Sequence, residues 1–212
     1  MNSLKFADVE LTFKLYLSEV FIYPNLKLIQ MKTILSFRYS LLAALLLAVS
    51  SFSFAQEAKP KPSPAETASG KIGGVDVTVN YSSPAIKGRT VWGELVPYDK
   101  VWRTGANEAT LVTFSKDVMV EGQRLPAGKY SLYTIPGQKE WTVILNKQTG
   151  QWGTQYDQGQ DALRVKVKPV AAKEMSERMK IDVQEKGKNT GAITINWEKM
   201  SVPVSVRPAA AS

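Results

Sequence analysis

The 212-residue chain contains no cysteine and no histidine. The first absence removes disulfide staples and thiolate nucleophiles. The second removes the Ser-His-Asp triad and the usual nitrogen ligand of zinc and copper sites. No Gly-x-Ser-x-Gly elbow, Ser-x-x-Lys dyad, phosphate-cradling glycine loop or EF-hand run of Asp and Asn occurs either. No cofactor or metal is therefore expected. Carboxylate chemistry is what survives, and a glycosidase needs two acids held roughly 5–9.5 Å apart. Glu94, Asp99 and Glu108 lie in one aromatic-rich region. They can serve that chemistry or simply pair with Arg89 and Arg103.

Charge of one sign is in mild excess: 27 Lys and Arg against 19 Asp and Glu, a net charge of +8. The cations are scattered, which favours solubility and leaves no footprint for nucleic acid. Nucleic acid is not an expected partner. Long apolar runs are scarce as well, with one exception at Leu41–Val49. Lys32 and Arg38 flank that run, and Ser53 and Ala55 place small residues where a signal peptidase reads. Residues 31–55 therefore read as a signal peptide, with a periplasmic or secreted product starting at Gln56. Residues 1–30 carry three lysines and three acids, unlike a positive leader flank, and read as an upstream extension from an early start codon. The alternative keeps that extension, with Tyr39–Phe54 as an anchor. With the leader cleaved, no membrane span is expected in the mature protein.

After the leader, residues 56–70 are rich in Pro, Ala, Ser, Glu and Lys and are expected to be a disordered spacer, as is the tail 208–212. Between them, residues 71–207 are expected to form one domain. Its dominant signal is period-two alternation. Val75, Val77, Val79 and Tyr81 oppose Asp76, Thr78 and Asn80; Leu163, Val165 and Val167 oppose Arg164, Lys166 and Lys168; Ile193, Ile195 and Trp197 oppose Thr194, Asn196 and Glu198. Lys129–Ile135 and Trp141–Leu145 are apolar on both faces and are joined through Pro136-Gly137, which predicts a central hairpin. Pro203 places the last strand at an edge or at its end. Helix is restricted to two short candidates, Val91–Leu95 and Ala171–Arg178. The pattern predicts an all-β fold, an antiparallel β-sandwich, jelly-roll-like, with little helix.

Two segments break the alternation. Val96–Thr110 concentrates Tyr98, Trp102, Arg103, Asn107 and Glu108, side chains that stack on and hydrogen-bond to polar ligands. Each also has a structural reading, in which Trp102 plugs the core, Asn107 caps a turn and Arg103 pairs with Glu108. Lys147–Gln160 sets Trp152 and Tyr156 among polar residues, either as a platform for a sugar ring or as pins that hold the loop down. A third feature, the row Arg164, Lys166 and Lys168, can meet an anionic headgroup or protect a strand from aggregation.

The strings Asn80-Tyr81-Ser82-Ser83-Pro84, Lys87-Gly88-Arg89, Leu95-Val96-Pro97-Tyr98, Trp102-Arg103-Thr104-Gly105-Ala106-Asn107-Glu108-Ala109-Thr110 and Leu125-Pro126-Ala127-Gly128-Lys129-Tyr130 stand together in one span. That span, Val75 to Lys168, resembles a family known as domain of unknown function 2911, found in exported bacterial proteins. The resemblance implies export and no activity, so no catalytic residues are carried over. The leading expectation is a non-enzymatic binding module for a glycan or an envelope protein, with Tyr98, Trp102, Arg103, Asn107, Glu108 and Trp152 as contacts. A carboxylate-based hydrolase and a purely structural module are the alternatives.

Overall fold

A computed structural model describes residue 38 and residues 61–210. The expected upstream extension, the expected signal peptide (Arg38 apart) and the first part of the expected spacer lie outside the described residues. One compact unit runs Pro60–Ser212. Among the described residues, alternating valines, isoleucines and aromatics form ten strands because each can bury one face while the other stays wet. In chain order they are β1 (Ala65–Ile72), β2 (Val75–Ser82), β3 (Thr110–Phe114), β4 (Val118–Val120), β5 (Gln123–Leu125), β6 (Gly128–Ile135), β7 (Trp141–Asn146), β8 (Asp161–Val167), β9 (Val170–Gly187) and β10 (Thr190–Pro208).

They build an antiparallel β-sandwich. One sheet has six strands in the order β1-β2-β3-β6-β7-β8, the other four in the order β5-β4-β10-β9. Hairpins dominate, and the chain changes sheet between β3 and β4, β5 and β6, and β8 and β9. The core lies between the sheets: Val77, Val79, Val112, Phe114, Leu132, Val143 and Val165 face Met179, Ile181, Ile193, Ile195, Trp197 and Val204. The predicted hairpin is β6–β7, with Leu132 opposite Leu145 and β3 and β8 on its flanks. Its second apolar face is also covered. Tyr133 and Ile144 are buried outside the main core, and the Tyr133 ring packs on Tyr156 of the 147–160 loop at 5.0 Å.

Order extends further than the sequence reading allows. Ala65–Gly70 belongs to β1 and not to the spacer, and Pro208 belongs to β10 and not to the tail. Neither buries much side chain. β1 gains its register from β2, from Ala65 opposite Ser82 to Ile72 opposite Val75. Pro208 pairs with Val118, and the next residue, Ala209, donates to the Asp117 carbonyl at 3.0 Å. Main-chain ladders carry these ends, and composition does not register them.

Ala171–Arg178 is strand, despite its helix formers. Ala171 pairs with Met200 and Ser176 with Glu198, so residues 172–175 bulge out against Lys199 alone. Pairing with β10 overrides intrinsic propensity there. Val91–Leu95 is a single wide turn closed by the Leu95 N–H to the Thr90 carbonyl and the Val96 N–H to the Val91 carbonyl. Strand β10 is interior, and its Pro203 falls between the last pairing with β9 at Ser201 and the first with β4 at Val206. The missing N–H thus sits where the ladder changes partner.

Candidate functional site

The long connection from β2 to β3 divides at Thr104. Its first half turns inward. Trp102 pairs with Thr134, donating at 2.7 Å and accepting at 2.9 Å, and so occupies the place beside β6 that β3 leaves beyond Thr110. Its ring stacks on Trp197 with centroids 5.8 Å apart, and Trp92 meets Trp102, Trp141 and Trp197 edge-on. Four of the five tryptophans thus form one cluster at the core. Tyr98 packs beside Gly93, whose added Cβ would lie 3.1 Å from the tyrosine ring.

The second half turns outward, and the backbone bends sharply to do it. Thr104, Asn107 and Gly105 have φ values of 52°, 57° and 154°. A β-branched residue in the left-handed region is costly and persists only when its surroundings fix it. Thr104 is fully buried; its Oγ1 lies 3.0 Å from that of Thr134, and its carbonyl accepts from Thr110 Oγ1 at 2.8 Å. Gly105 has no room for a side chain, since a Cβ would meet Thr110 Oγ1 at 2.9 Å.

This turn brings the segment against the 147–160 loop. Glu108 bridges Trp152, the Ala109 N–H donates to the Gln151 carbonyl at 3.1 Å, and the Gly153 N–H donates to the Asn107 carbonyl at 3.0 Å. Residues opposed in an antiparallel bridge project to the same side, so Trp152 and Glu108 share a face. The loop beneath is pinned from several directions. Gln151 Nε2 donates to Tyr133 Oη at 3.0 Å, Tyr133 Oη donates to the Gln155 carbonyl at 3.1 Å, and Asn146 Nδ2 donates to the Asp157 carbonyl at 2.8 Å. Tyr156 donates to Asp161 at 2.7 Å; burial, together with that carboxylate, pushes its phenol up to about 12. So the two aromatics of the loop part company: Tyr156 is a pin, while Trp152 stays 48% exposed.

The structure therefore brings Arg103, Asn107, Glu108 and Trp152 to one seam and sends Tyr98 and Trp102 elsewhere. Arg103 does not pair with Glu108. Glu108 is held by Lys61, whose ammonium hydrogen-bonds it and keeps the carboxyl below its ordinary value. Asn107 Nδ2 donates to the Ser63 carbonyl at 3.2 Å, so the chain just before β1 straps this corner. Arg89 likewise bonds carbonyls, those of Ala85 and Ile86, and no acid. Arg103 has neither ion pair nor hydrogen bond among the described residues, and its Nε is buried without a partner. Its stem lies flat on Gly153, where an added Cβ would strike Arg103 Cδ at 2.3 Å.

Lys61, Ser63, Thr104, Gln151 and Gly153 complete the seam and escaped the sequence reading. Of these, only Gly153 left a signal, a glycine beside an aromatic in a polar loop, marking close approach of another chain segment. The basic row on β8 is largely neutralised: Arg164 pairs with Asp161 at 2.7 Å and Lys166 with Glu140 at 3.4 Å. The larger concavities lie away from the seam. One of about 660 Å³ runs between the edges of β1 and β9, and one of about 720 Å³ lies on the face of β9 and β10, where Lys180 pairs with Asp182 at 2.8 Å. A smaller hollow of about 210 Å³ adjoins Glu108, lined also by Asn80 and Leu111. No cluster of three or more metal-ligating side chains occurs among the described residues. No described helix is long and apolar enough to cross a membrane.

A family profile described as protein of unknown function, DUF2911, matches residues 63–206. The chain belongs to the DUF2911 family. That match spans the sandwich except the last two residues of β10, and contains every seam residue except Lys61. No curated protein and no solved structure matches the chain. The family description carries no activity, and the chemistry of the site rests on its own side chains.

Proposed function

We propose that this DUF2911 protein is an exported, non-enzymatic module that binds a polar ligand, a glycan, at the seam of Arg103, Asn107, Glu108 and Trp152. The observation that carries the reading is Trp152. It is the one tryptophan outside the core cluster, and it is half exposed on a loop otherwise tied down by Tyr133, Asn146 and Tyr156. A rigid, exposed aromatic beside amide, guanidinium and carboxylate groups is the composition of a polar-ligand platform. The leader read at residues 31–55 supports an envelope location, where glycans are abundant. A carboxylate hydrolase fits less well, because a general acid must stay protonated. Glu108, the acid at the seam, is held ionised by Lys61.

The test is a glycan-binding screen on protein purified from the exporting cell, beside Trp152→Ala. The native protein is expected to bind, and the variant to lose about tenfold or more in affinity with its melting unchanged, the usual cost of removing an anchoring tryptophan. If neither protein binds, the sandwich is a structural module. N-terminal mass spectrometry of the same sample is expected to give Gln56 as the first residue.

A further inference from the structure

Arg103 stands out from three other cations of the sandwich. Lys61 has Glu108, Arg164 has Asp161, and Arg89 has two carbonyls. Arg103 has nothing among the described residues, although Glu108 is only five positions along the chain. Its Nε is already stripped of water with no acceptor in place. Burial closes Nε to a ligand, so the open donors of this unpaired cation are its terminal Nη atoms, which present an end-on fork to an anion.

The side chain is also held ready. Gly153 gives it a flat bed, and the Gly153 N–H bond to Asn107 locks that bed to the turn Arg103 leads into. A stem packed in advance loses less freedom on binding an oxyanion than a free surface lysine would. Glu108, the acid of the seam, is engaged by Lys61. Trp152 supplies a ring on the adjoining backbone position.

We propose that the ligand of this seam is an acidic glycan, whose carboxylate is received by Arg103 while a sugar face lies on Trp152. The proposal deepens the reading above and rests on it. Guanidinium meets a carboxylate through two parallel N–H···O bonds, so orientation as well as charge is read.

Calorimetric titration of the full chain tests it with three probes: a uronic-acid oligosaccharide, its carboxyl-reduced neutral counterpart, and inorganic sulfate. The acidic sugar is expected to bind about tenfold or more tighter than the neutral one, with the gap shrinking as salt is raised. Arg103→Gln is expected to erase that gap, weakening the acidic sugar far more than the neutral one. Trp152→Ala is expected to weaken both sugars. Arg103→Lys keeps the charge without the fork and should retain only part of the preference, which guards against a glutamine variant that folds poorly. Lys61→Gln should weaken the acidic sugar alone, by exposing the Glu108 charge.

Equal affinity for the two sugars, unmoved by Arg103→Gln, overturns the acidic ligand and leaves glycan binding intact. Binding of sulfate with neither sugar overturns the glycan and keeps Arg103 as a simple anion site. Binding of none of the probes overturns the acidic ligand. Failure of the wider glycan screen as well overturns the function it rests on.

Discussion

The tryptophan cluster and the tryptophan at the seam use one residue type in opposite ways. Trp92, Trp102, Trp141 and Trp197 touch one another across the sandwich, two of them within a single β2–β3 connection. Trp152 belongs to a loop on the far side of the six-stranded sheet and packs with none of them. The first group glues two layers; the second is a projecting ring on a fixed base. Chemical type alone does not separate binding from packing. The partner across the ladder does, Thr134 for Trp102 and Glu108 for Trp152.

The widest gap between the two regions is in stability. Trp197→Ala removes a side chain that is 1% exposed from the centre of the cluster. Chemical denaturation is expected to show a loss of about 3–5 kcal/mol, the cost of deleting a buried large aromatic. Trp152→Ala should stay within about 0.5 kcal/mol of the parent, as surface substitutions do. Comparable losses at both positions would break the contrast and make Trp152 a core residue. Acrylamide quenching sharpens the same point, because Trp152 should supply most of the accessible fluorescence.

Much of the fold was legible because burial on one side of a strand writes itself as alternation. Val75–Tyr81, Leu163–Val167 and Ile193–Trp197 announce their inward faces directly. The double-sided apolarity of Lys129–Ile135 and Trp141–Leu145 was equally readable, although its cause, a loop folded over Tyr133 and Ile144, was not. Ala65–Gly70 and the bulged 172–175 were illegible for a common reason. Main-chain pairing with a distant strand holds them, and their side chains carry no trace of it. At the seam, residue types suggested the aromatics, the arginine and the amide. Which acid each cation would choose depends on Lys61 arriving from 47 residues away, which local spacing does not encode.

The next test strikes the seam itself. Gly153→Ala places a methyl against Arg103 Cδ and within 2.9 Å of the Asn107 carbonyl. The loop must lift, at an expected cost of about 1–3 kcal/mol, the range for forcing atoms into filled space. The core cluster should not register it, so near-ultraviolet dichroism from the four inner tryptophans is expected to persist while glycan binding falls. Loss of both signals would mean that seam and core are one cooperative piece.

A smaller effect lies in the pin beneath Trp152. Tyr156 has its pKa raised to about 12 from the ordinary 10 by burial and by Asp161. The folded state therefore keeps this proton more tightly than the unfolded chain does. Its stabilising contribution is complete below pH 10 and is lost as pH rises through about 12. Burial also raises Tyr81, Tyr130 and Tyr133, so phenolate absorbance should lose one of several late-titrating components in Tyr156→Phe. In that variant the alkaline decline in stability should be shallower between pH 10 and 12.

The strap gives the smallest and most selective effect. Lys61 and Glu108 are both about half exposed, and such pairs contribute about 0–1 kcal/mol. Lys61→Ala should therefore leave the melting temperature almost unmoved. What it should change is the Glu108 carboxyl, whose folded value is depressed chiefly by the Lys61 hydrogen bond. The stabilising contact is present above the ordinary carboxylate range and is lost as pH falls through the depressed value, so the strap is tightest at neutral pH and loosens in acid. Carboxyl carbon NMR reads this directly: the Glu108 titration should move up toward the ordinary value in Lys61→Ala. An unmoved titration would assign the depression to the Glu108 backbone N–H, the second contributor. Asn107 alone would then hold the strap to the seam, through Ser63.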